Sequence, residues 1–157
     1  MRITSVAALC ALAALAVLGA PGVGSAQTAP GWTYGYIEGA ATATRTDDHG
    51  DIVASMTCRP PDGVMVLADN TFGRAASRAS SAAVRIGQLT INVPATVEGR
   101  GRHARVLINL PQRPPVLAGV QRDDELQVTV NNVTHGYGVG SGRQMEDVAY
   151  ACWQGGS

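Results

Sequence analysis

Residues 52–68 have the sequence IVASMTCRPPDGVMVLA, and this stretch contains the pattern that decides the fold class. From Ile52 to Cys58, apolar side chains stand at every second position, which is the period of a strand with one buried face. Residues 60–63, PPDG, favour a turn because Pro fixes φ and Gly supplies a positive φ. Residues 64–68 then return as a partner strand, so the stretch predicts an antiparallel β-hairpin.

Short apolar runs of the same kind recur along the chain. The first, from Trp32 to Glu38, places Trp32, Tyr34 and Tyr36 on one face of an extended strand. Later runs, separated by Gly, Pro, Asn or Asp at roughly 8 to 15 residues, have the spacing typical of antiparallel sandwiches and barrels. These runs are residues 84–86, 89–93, 104–110, 116–120 and 126–130. The sequence therefore predicts a mainly β fold, an antiparallel β-sandwich or barrel.

Helical periodicity is found near the end of the chain. Four apolar residues fall at i, i+3, i+4 and i+7, which is one face of a helix. Ser141 and Gln144 precede them with the spacing of a capping box. We therefore expect one short C-terminal helix that buries its apolar face against the sheet. That face consists of Met145, Val148, Ala149 and Cys152.

The N-terminal 26 residues have the organisation of a cleavable secretory signal peptide. Arg2 precedes an apolar run, residues 6–18, and small residues follow up to Ala26. The apolar run is about 13 residues long, too short to span a bilayer, so no membrane anchor is expected. Cleavage is predicted before Gln27, with Ala29 as an alternative. Residues 27–31 then form a flexible lead-in, residues 32–157 form a single β-rich domain, and the protein is periplasmic or secreted.

Removal of residues 1–26 leaves two cysteines, Cys58 and Cys152. An even cysteine count in an exported chain indicates a disulfide. A metal-ligand pair and a redox site are the alternatives, but the sequence has neither a C-x-x-C spacing nor a nearby Cys/His cluster. A Cys58–Cys152 disulfide would tie the first third of the domain to its last element.

The charge balance argues against a nucleic-acid partner. All twelve basic residues are arginine, and the chain has twelve acidic residues, so the formal net charge is zero. A dedicated nucleic-acid or acidic-membrane binder normally carries a clear positive excess. A local basic cluster does occur at residues 99–105, where Arg100, Arg102 and Arg105 lie at an apparent hairpin. These three arginines are the candidate partner-binding residues, for an acidic protein, a phosphate or a polyanionic glycan; a solvated hairpin tip is the alternative.

Glycines alternate with other residues from Gly136 to Gly142. In a strand, Gly136, Gly138 and Gly140 would share one face without side chains and let another element approach the backbone closely. The expected partner is either the C-terminal helix or the face of Tyr34 and Tyr36. A backbone anion site at the helix N-terminus is a weaker hypothesis because the G-x-G-x-x-G register is absent.

No catalytic signature is found in the sequence. Ser141 lies between two glycines, but Val139 and Arg143 occupy the outer positions of a G-x-S-x-G motif. His49, His103 and His135 are not close in sequence, so ordinary surface or half-buried histidines are favoured over a metal site or general base.

The carboxylates of Asp47, Asp48 and Asp51 have the density of a calcium loop but not its spacing, so a solvated turn is favoured. No metal and no cofactor is predicted.

The layout of the chain resembles that of small exported proteobacterial proteins, namely the invasion-associated locus B family and the VasI-type periplasmic proteins linked to type VI secretion. The resemblance implies a disulfide-tied β-sandwich with a terminal helix and a non-enzymatic role in the envelope or in secretion, without catalytic residues to carry over. The extra cysteines of the first family are missing here. The segments that carry the resemblance are residues 63–66 after Cys58, 87–89, 117–120, 125–128, the Ser141-Gly142 turn and the final Cys152.

These features predict a non-catalytic binding module of the bacterial envelope with a protein or cell-wall partner; an inhibitor of an envelope hydrolase and a secretion accessory are specific versions. Either an exposed sheet face or the arginine hairpin would form its contact surface. The alternative is a small hydrolase or metal-binding protein that uses His135, His103 and a carboxylate. The sequence leaves the oligomeric state open.

Overall fold

The structure, a computed structural model, describes residues 31–59, 63–110 and 119–154. These ranges contain nine strands, two short 3₁₀ helices at Gly73–Ala76 and Gly101–His103, and one α-helix. The predicted signal peptide (1–26), most of the lead-in (27–30), the turn residues 60–62 and residues 116–118 lie outside them. The longer elements are β1 (Trp32–Ile37), β2 (Ala40–Thr46), β3 (Ile52–Arg59), β4 (Val64–Asp69), β5 (Ser81–Ile86), β6 (Leu89–Glu98), β7 (Arg105–Leu110), β8 (Leu126–Val130), β9 (Val133–Gly136) and α1 (Ser141–Gln154).

The strands form one antiparallel sheet in the order β1-β2-β3-β4-β7-β6-β5-β8-β9, curled into a half-barrel. Strand β6 is the corner of this sheet, because its first part, Leu89 to Pro94, pairs with β5 and its second part, Ala95 to Glu98, pairs with β7. Pro94 lies where the partner changes, a position at which its missing N–H is tolerated. The mainly β fold predicted from the sequence is confirmed.

The hairpin predicted from residues 52–68 is formed by β3 and β4. Cys58 lies opposite Met65 and Met56 lies opposite Leu67, and all four side chains are fully buried. The alternating pattern thus places one face of the hairpin in the hydrophobic core, as the sequence indicates.

Helix α1 packs against β1 to β4 and buries the predicted face of Met145, Val148, Ala149 and Cys152. The predicted disulfide joins Cys58 on β3 to Cys152 near the end of α1, with the two Cα atoms 5.5 Å apart. No helix within the described ranges is both long and apolar enough to cross a membrane.

The aromatic residues of β1 share one face but differ in burial along the strand. Trp32 is buried, Tyr34 is half-buried, and Tyr36 is 68% exposed. The indole Nε1 of Trp32 donates a 3.1 Å hydrogen bond to the carbonyl oxygen of Tyr137, just beyond β9. Because β1 and β9 are at opposite ends of the strand order, this bond links the two margins of the curled sheet.

Candidate functional site

A buried carboxylate lies at the end of β4. Asp69 is only 1% exposed, and its two oxygens accept three hydrogen bonds. Oδ2 accepts from the hydroxyl of Tyr137 at 2.5 Å, and Oδ1 accepts from the backbone N–H and the hydroxyl of Thr71 at 2.5 and 2.6 Å. A carboxylate is costly to bury unless it is hydrogen-bonded, and these donors supply that compensation.

The same network extends to His135 on β9. The Thr71 hydroxyl donates its one hydrogen to Asp69, so its oxygen accepts from Nδ1 of His135 at 2.8 Å. In this direction Nδ1 of His135 carries a proton. The hydrogen bonds then run from His135 to Thr71 and from Thr71 to Asp69. The imidazole also stacks on Phe72, with ring centroids 3.9 Å apart and planes 14° from parallel. His135 is therefore fixed in orientation by one hydrogen bond and one ring.

Tyr137 is the most enclosed member of this group. Burial raises the pKa of its phenol far above the usual range, and the negative charge of Asp69 raises that pKa further. The hydroxyl is thus held protonated and serves as a donor. Arg45 of β2 covers the outer side, with Cζ 5.8 Å from the ring centroid and Nη1 donating a 3.3 Å hydrogen bond to the carbonyl of Gly136.

These residues line a small open cavity of about 320 Å³. The oxygens of Asp69 and the hydroxyl of Tyr137 form hydrogen bonds within this group, which thereby joins β4 to β9. The side chains that mainly face the solvent are those of His135 and Arg45. His103 is not part of it: it lies on the 3₁₀ helix Gly101–His103, where its Nε2 accepts from Nε of Arg102 at 3.1 Å. Among the described residues, no three His, Cys, Asp or Glu side chains are grouped to hold a metal ion.

The structure separates the three arginines that the sequence grouped. Arg105 forms a 2.6 Å ion pair with Glu98 across β6 and β7. Arg102 donates to its neighbour His103. Arg100 lies in a different place, on the wall of a large groove, because the chain turns through the 3₁₀ helix Gly101–His103 between them.

That groove, which we call the arginine groove, has a volume of about 1070 Å³. Arg74 and Arg78 stand on one wall, which the 3₁₀ helix Gly73–Ala76 and the residues after it form. Arg100 and the end of β6 form the other wall. No acidic residue lines the groove within the described ranges. None of the three guanidinium groups has an ion-pair partner there. Sequence reasoning missed Arg74 and Arg78 as site residues, since only the contact between the two 3₁₀ helices brings them to Arg100.

The glycine-rich segment is shorter as a strand than the alternation predicts. Strand β9 ends at Gly136, and Gly138 and Gly140 follow in a loop with φ of 85° and 83°, a conformation that favours glycine. A close approach does occur at Gly136, but the approaching group is the carboxylate of Glu125. A Cβ at position 136 would collide with Oε1 of Glu125, the same atom that accepts the N–H of Gly138 at 3.1 Å. Neither the helix nor the tyrosines of β1 make this contact.

The capping box predicted at Ser141 is wrong. The hydroxyl of Ser141 donates to the carbonyl of Gly138 at 2.6 Å and accepts from the N–H of Leu126 at 2.8 Å. It therefore fastens the loop to the start of β8. Gln144, the other member of the predicted box, is buried, and its Oε1 has no hydrogen-bond partner.

Asp47 organises the turn between β2 and β3. Its Oδ1 accepts the backbone N–H groups of His49 at 2.9 Å and Asp51 at 3.0 Å. These two hydrogen bonds hold the pKa of Asp47 below its usual range. The carboxylate thus stabilises the turn itself, as Asp commonly does in this position.

Comparisons with known proteins identify one similar structure. No protein-family model matches this chain, and no curated protein sequence does. The crystal structure of invasion associated protein B from Bartonella henselae is similar, at 14% identity and a TM-score of 0.46, over 82% of this chain and 93% of that one. The likeness is one of layout. It agrees with the weak resemblance seen in the sequence and, at that identity and TM-score, gives no basis for transferring a function.

Proposed function

We propose that this protein is an exported, non-catalytic binding module of the bacterial envelope that holds an anionic protein or cell-wall partner in the arginine groove. The observation that carries the proposal is the convergence of Arg74, Arg78 and Arg100 on one groove without an acidic lining residue in the described ranges. Guanidinium groups present planar, forked donors that match carboxylate and phosphate oxygens. Three such groups facing one space favour a partner with several negative charges.

The polar cluster around Asp69 has a structural role in the fold. Asp69 accepts from both Tyr137 and Thr71, and Thr71 in turn orients His135. The oxygens of Asp69 are occupied by these structural donors, so this carboxylate has no free acceptor with which to take a substrate proton. The cluster stabilises the fold by joining β4 to β9. In this proposal the partner contacts the arginine groove instead.

Export is supported by the leader pattern in residues 1–26 and by the disulfide, a bond that persists in oxidising compartments. We expect the chain recovered from a Gram-negative host to begin at Gln27 and to contain no free thiol. Intact-mass measurement before and after thiol alkylation under native conditions tests both points. A chain that keeps residues 1–26, or that reacts at two thiols, would contradict export.

Partner binding is tested with two triple variants of equal charge change. We expect the groove variant to lose its partners from a solubilised envelope fraction and the control variant to keep them. Equal capture by both would contradict the proposal, and so would capture that is insensitive to salt, because exposed charge pairs are screened. The groove variant carries Arg74→Ser, Arg78→Ser and Arg100→Ser; the control carries Arg85→Ser, Arg102→Ser and Arg122→Ser.

A further inference from the structure

One side of the arginine groove is formed by a gap in the sheet. The pairing of β5 with β6 ends at Ser81 and Pro94. One further hydrogen bond follows, in which the N–H of Ala95 donates to the carbonyl of Ser80 at 3.1 Å. Beyond that bond β6 continues to Glu98, paired only with β7. The far side of β6 therefore faces the groove over its last residues.

The direction of the backbone groups follows from that last bond. In an antiparallel sheet, successive residues direct their N–H and C=O groups to opposite edges of the strand. Since the N–H of Ala95 points toward β5, that of Thr96 points toward β7, and the N–H and C=O of Val97 point into the groove. Within the described ranges no strand pairs with Val97 on this side. An unpaired strand edge is a template for an additional strand.

The gap is held open by specific contacts. Arg78 has a φ of 63°, which turns the chain away from β6 before β5 begins. The side-chain amide of Asn131 donates to the carbonyls of Ala75 and Ser77 at 2.9 and 3.1 Å and so anchors the diverging segment to the β8–β9 turn. The edge at Val97 is thus a built feature of the fold.

We propose that the arginine groove takes an extended acidic segment of a partner protein, which adds as a short strand along β6 at Val97 and places carboxylates on Arg74, Arg78 and Arg100. This inference rests on the proposed function and names its partner class. The open edge supplies main-chain hydrogen bonds, and the arginines select negative side chains. Alternate residues of a strand point to the same face, so the segment that fits best has acidic residues at every second position.

The probe is a blocked eight-residue peptide in which Glu and Thr alternate, titrated into the full exported chain. We expect it to bind about tenfold or more tightly than the same peptide with Lys in place of Glu, and the groove variant to bind it about tenfold or more weakly. Two further peptides carry backbone N-methyl groups on all Glu or on all Thr residues. In a strand, either the N–H groups of the Glu residues or those of the Thr residues face β6, but not both. We therefore expect one N-methylated peptide to lose about tenfold or more in affinity and the other to bind as the parent does.

Equal affinity of the three Glu-Thr peptides would overturn the inference, since charge alone would then explain binding. Binding of inorganic polyphosphate of matched charge as tightly as the parent peptide would overturn it as well. If the wild type captures envelope partners through the groove yet binds no Glu-Thr peptide, the inference fails and the proposed function stands. If the groove variant captures the same partners as the wild type, the proposed function fails.

Discussion

The phenol of Tyr137 donates a 2.5 Å hydrogen bond to Asp69, joining residues that are 68 positions apart in the chain. Strand β4 ends at Asp69, and four strands separate β4 from β9 in the sheet order, after which Tyr137 follows. Curling of the sheet brings these two positions together. The indole of Trp32 bonds to the carbonyl of Tyr137 from the other margin, so Tyr137 is the point at which the half-barrel is held.

Tyr137→Phe should therefore destabilise the fold. The substitution keeps the ring but leaves Oδ2 of the buried Asp69 without the phenol donor, and an unsatisfied buried acceptor costs about 1 to 3 kcal/mol. Urea unfolding of the two proteins measures the difference. Tyr150→Phe is the matched control, because Tyr150 is 57% exposed on α1 and should change stability by less than about 0.5 kcal/mol. Equal stability of both variants and the wild type would contradict a closing role for the bond.

Alkaline pH should weaken the fold through the same phenol. Folding raises the pKa of Tyr137 well above that of an unfolded tyrosine, about 10. Above pH 10 the unfolded chain therefore binds fewer protons than the folded one, so stability falls as pH rises and is fully present below pH 10. The pKa of Tyr34 is also raised, to about 12, mainly by burial and by its hydrogen bond to Tyr36, but the wild type and Tyr137→Phe share this effect.

Between pH 9 and 11 the wild type should accordingly lose about 1 kcal/mol more than Tyr137→Phe. Urea unfolding at several pH values in this range provides the comparison. Parallel losses in the two proteins would show that the phenol of Tyr137 ionises as freely in the folded state as in the unfolded one.

The features that the sequence predicts correctly depend on local patterns. The β3–β4 hairpin follows from alternation on either side of the sequence PPDG, and the buried face of α1 follows from helical spacing. The capping box at Ser141 fails for a tertiary reason: its hydroxyl finds the carbonyl of Gly138 and the N–H of Leu126, which a local motif does not include.

The two candidate sites depend on how distant elements meet. The link between Asp69 and His135 requires the curl of the sheet. The arginine groove requires two 3₁₀ helices to pack together, so sequence spacing does not show that Arg74 and Arg100 line the same groove. Sequence spacing also does not show that Arg105 forms its ion pair with Glu98. Local charge density at residues 99–105 draws attention to Arg100 but does not reveal its neighbours in space.

A side chain at position 136 should destabilise the fold by displacing Glu125. A methyl group at position 136 would displace the carboxylate that accepts the N–H of Gly138 and a hydrogen bond from Gln127. We expect Gly136→Ala to cost about 0.5 to 1.5 kcal/mol in urea unfolding, the net range for a hydrogen bond, because both bonds to this carboxylate are only partly buried.

The control for this substitution is Gly35→Ala in β1, where a Cβ would have no atom within 4 Å. It should be neutral or stabilising by about 0.5 to 1 kcal/mol, because alanine loses less conformational entropy than glycine on folding. In a Glu125→Ala background the cost of Gly136→Ala should shrink, since the colliding carboxylate is gone. An unchanged cost in that background would mean that Glu125 is not the reason for glycine at this position.

The disulfide should contribute strongly to stability. It joins two cysteines 94 positions apart, and for a closed segment of this length the chain-entropy model gives about 4 to 5 kcal/mol. The double variant Cys58→Ser, Cys152→Ser should lose up to this amount in urea unfolding, and the wild type in reductant should lose a similar amount. A change of less than about 1 kcal/mol in both would contradict this role.

Loss of the bond should also act locally. Cys152 lies near the C-terminal end of α1, and the disulfide is the covalent link between this end of the helix and β3. We expect the last turn of α1 to exchange its amide hydrogens faster in the double variant, while the amides of β3 and β4 change less, because those strands remain paired on both sides. Uniform acceleration across the sheet and helix would instead mean that the disulfide acts only through the unfolded chain, by restricting its entropy.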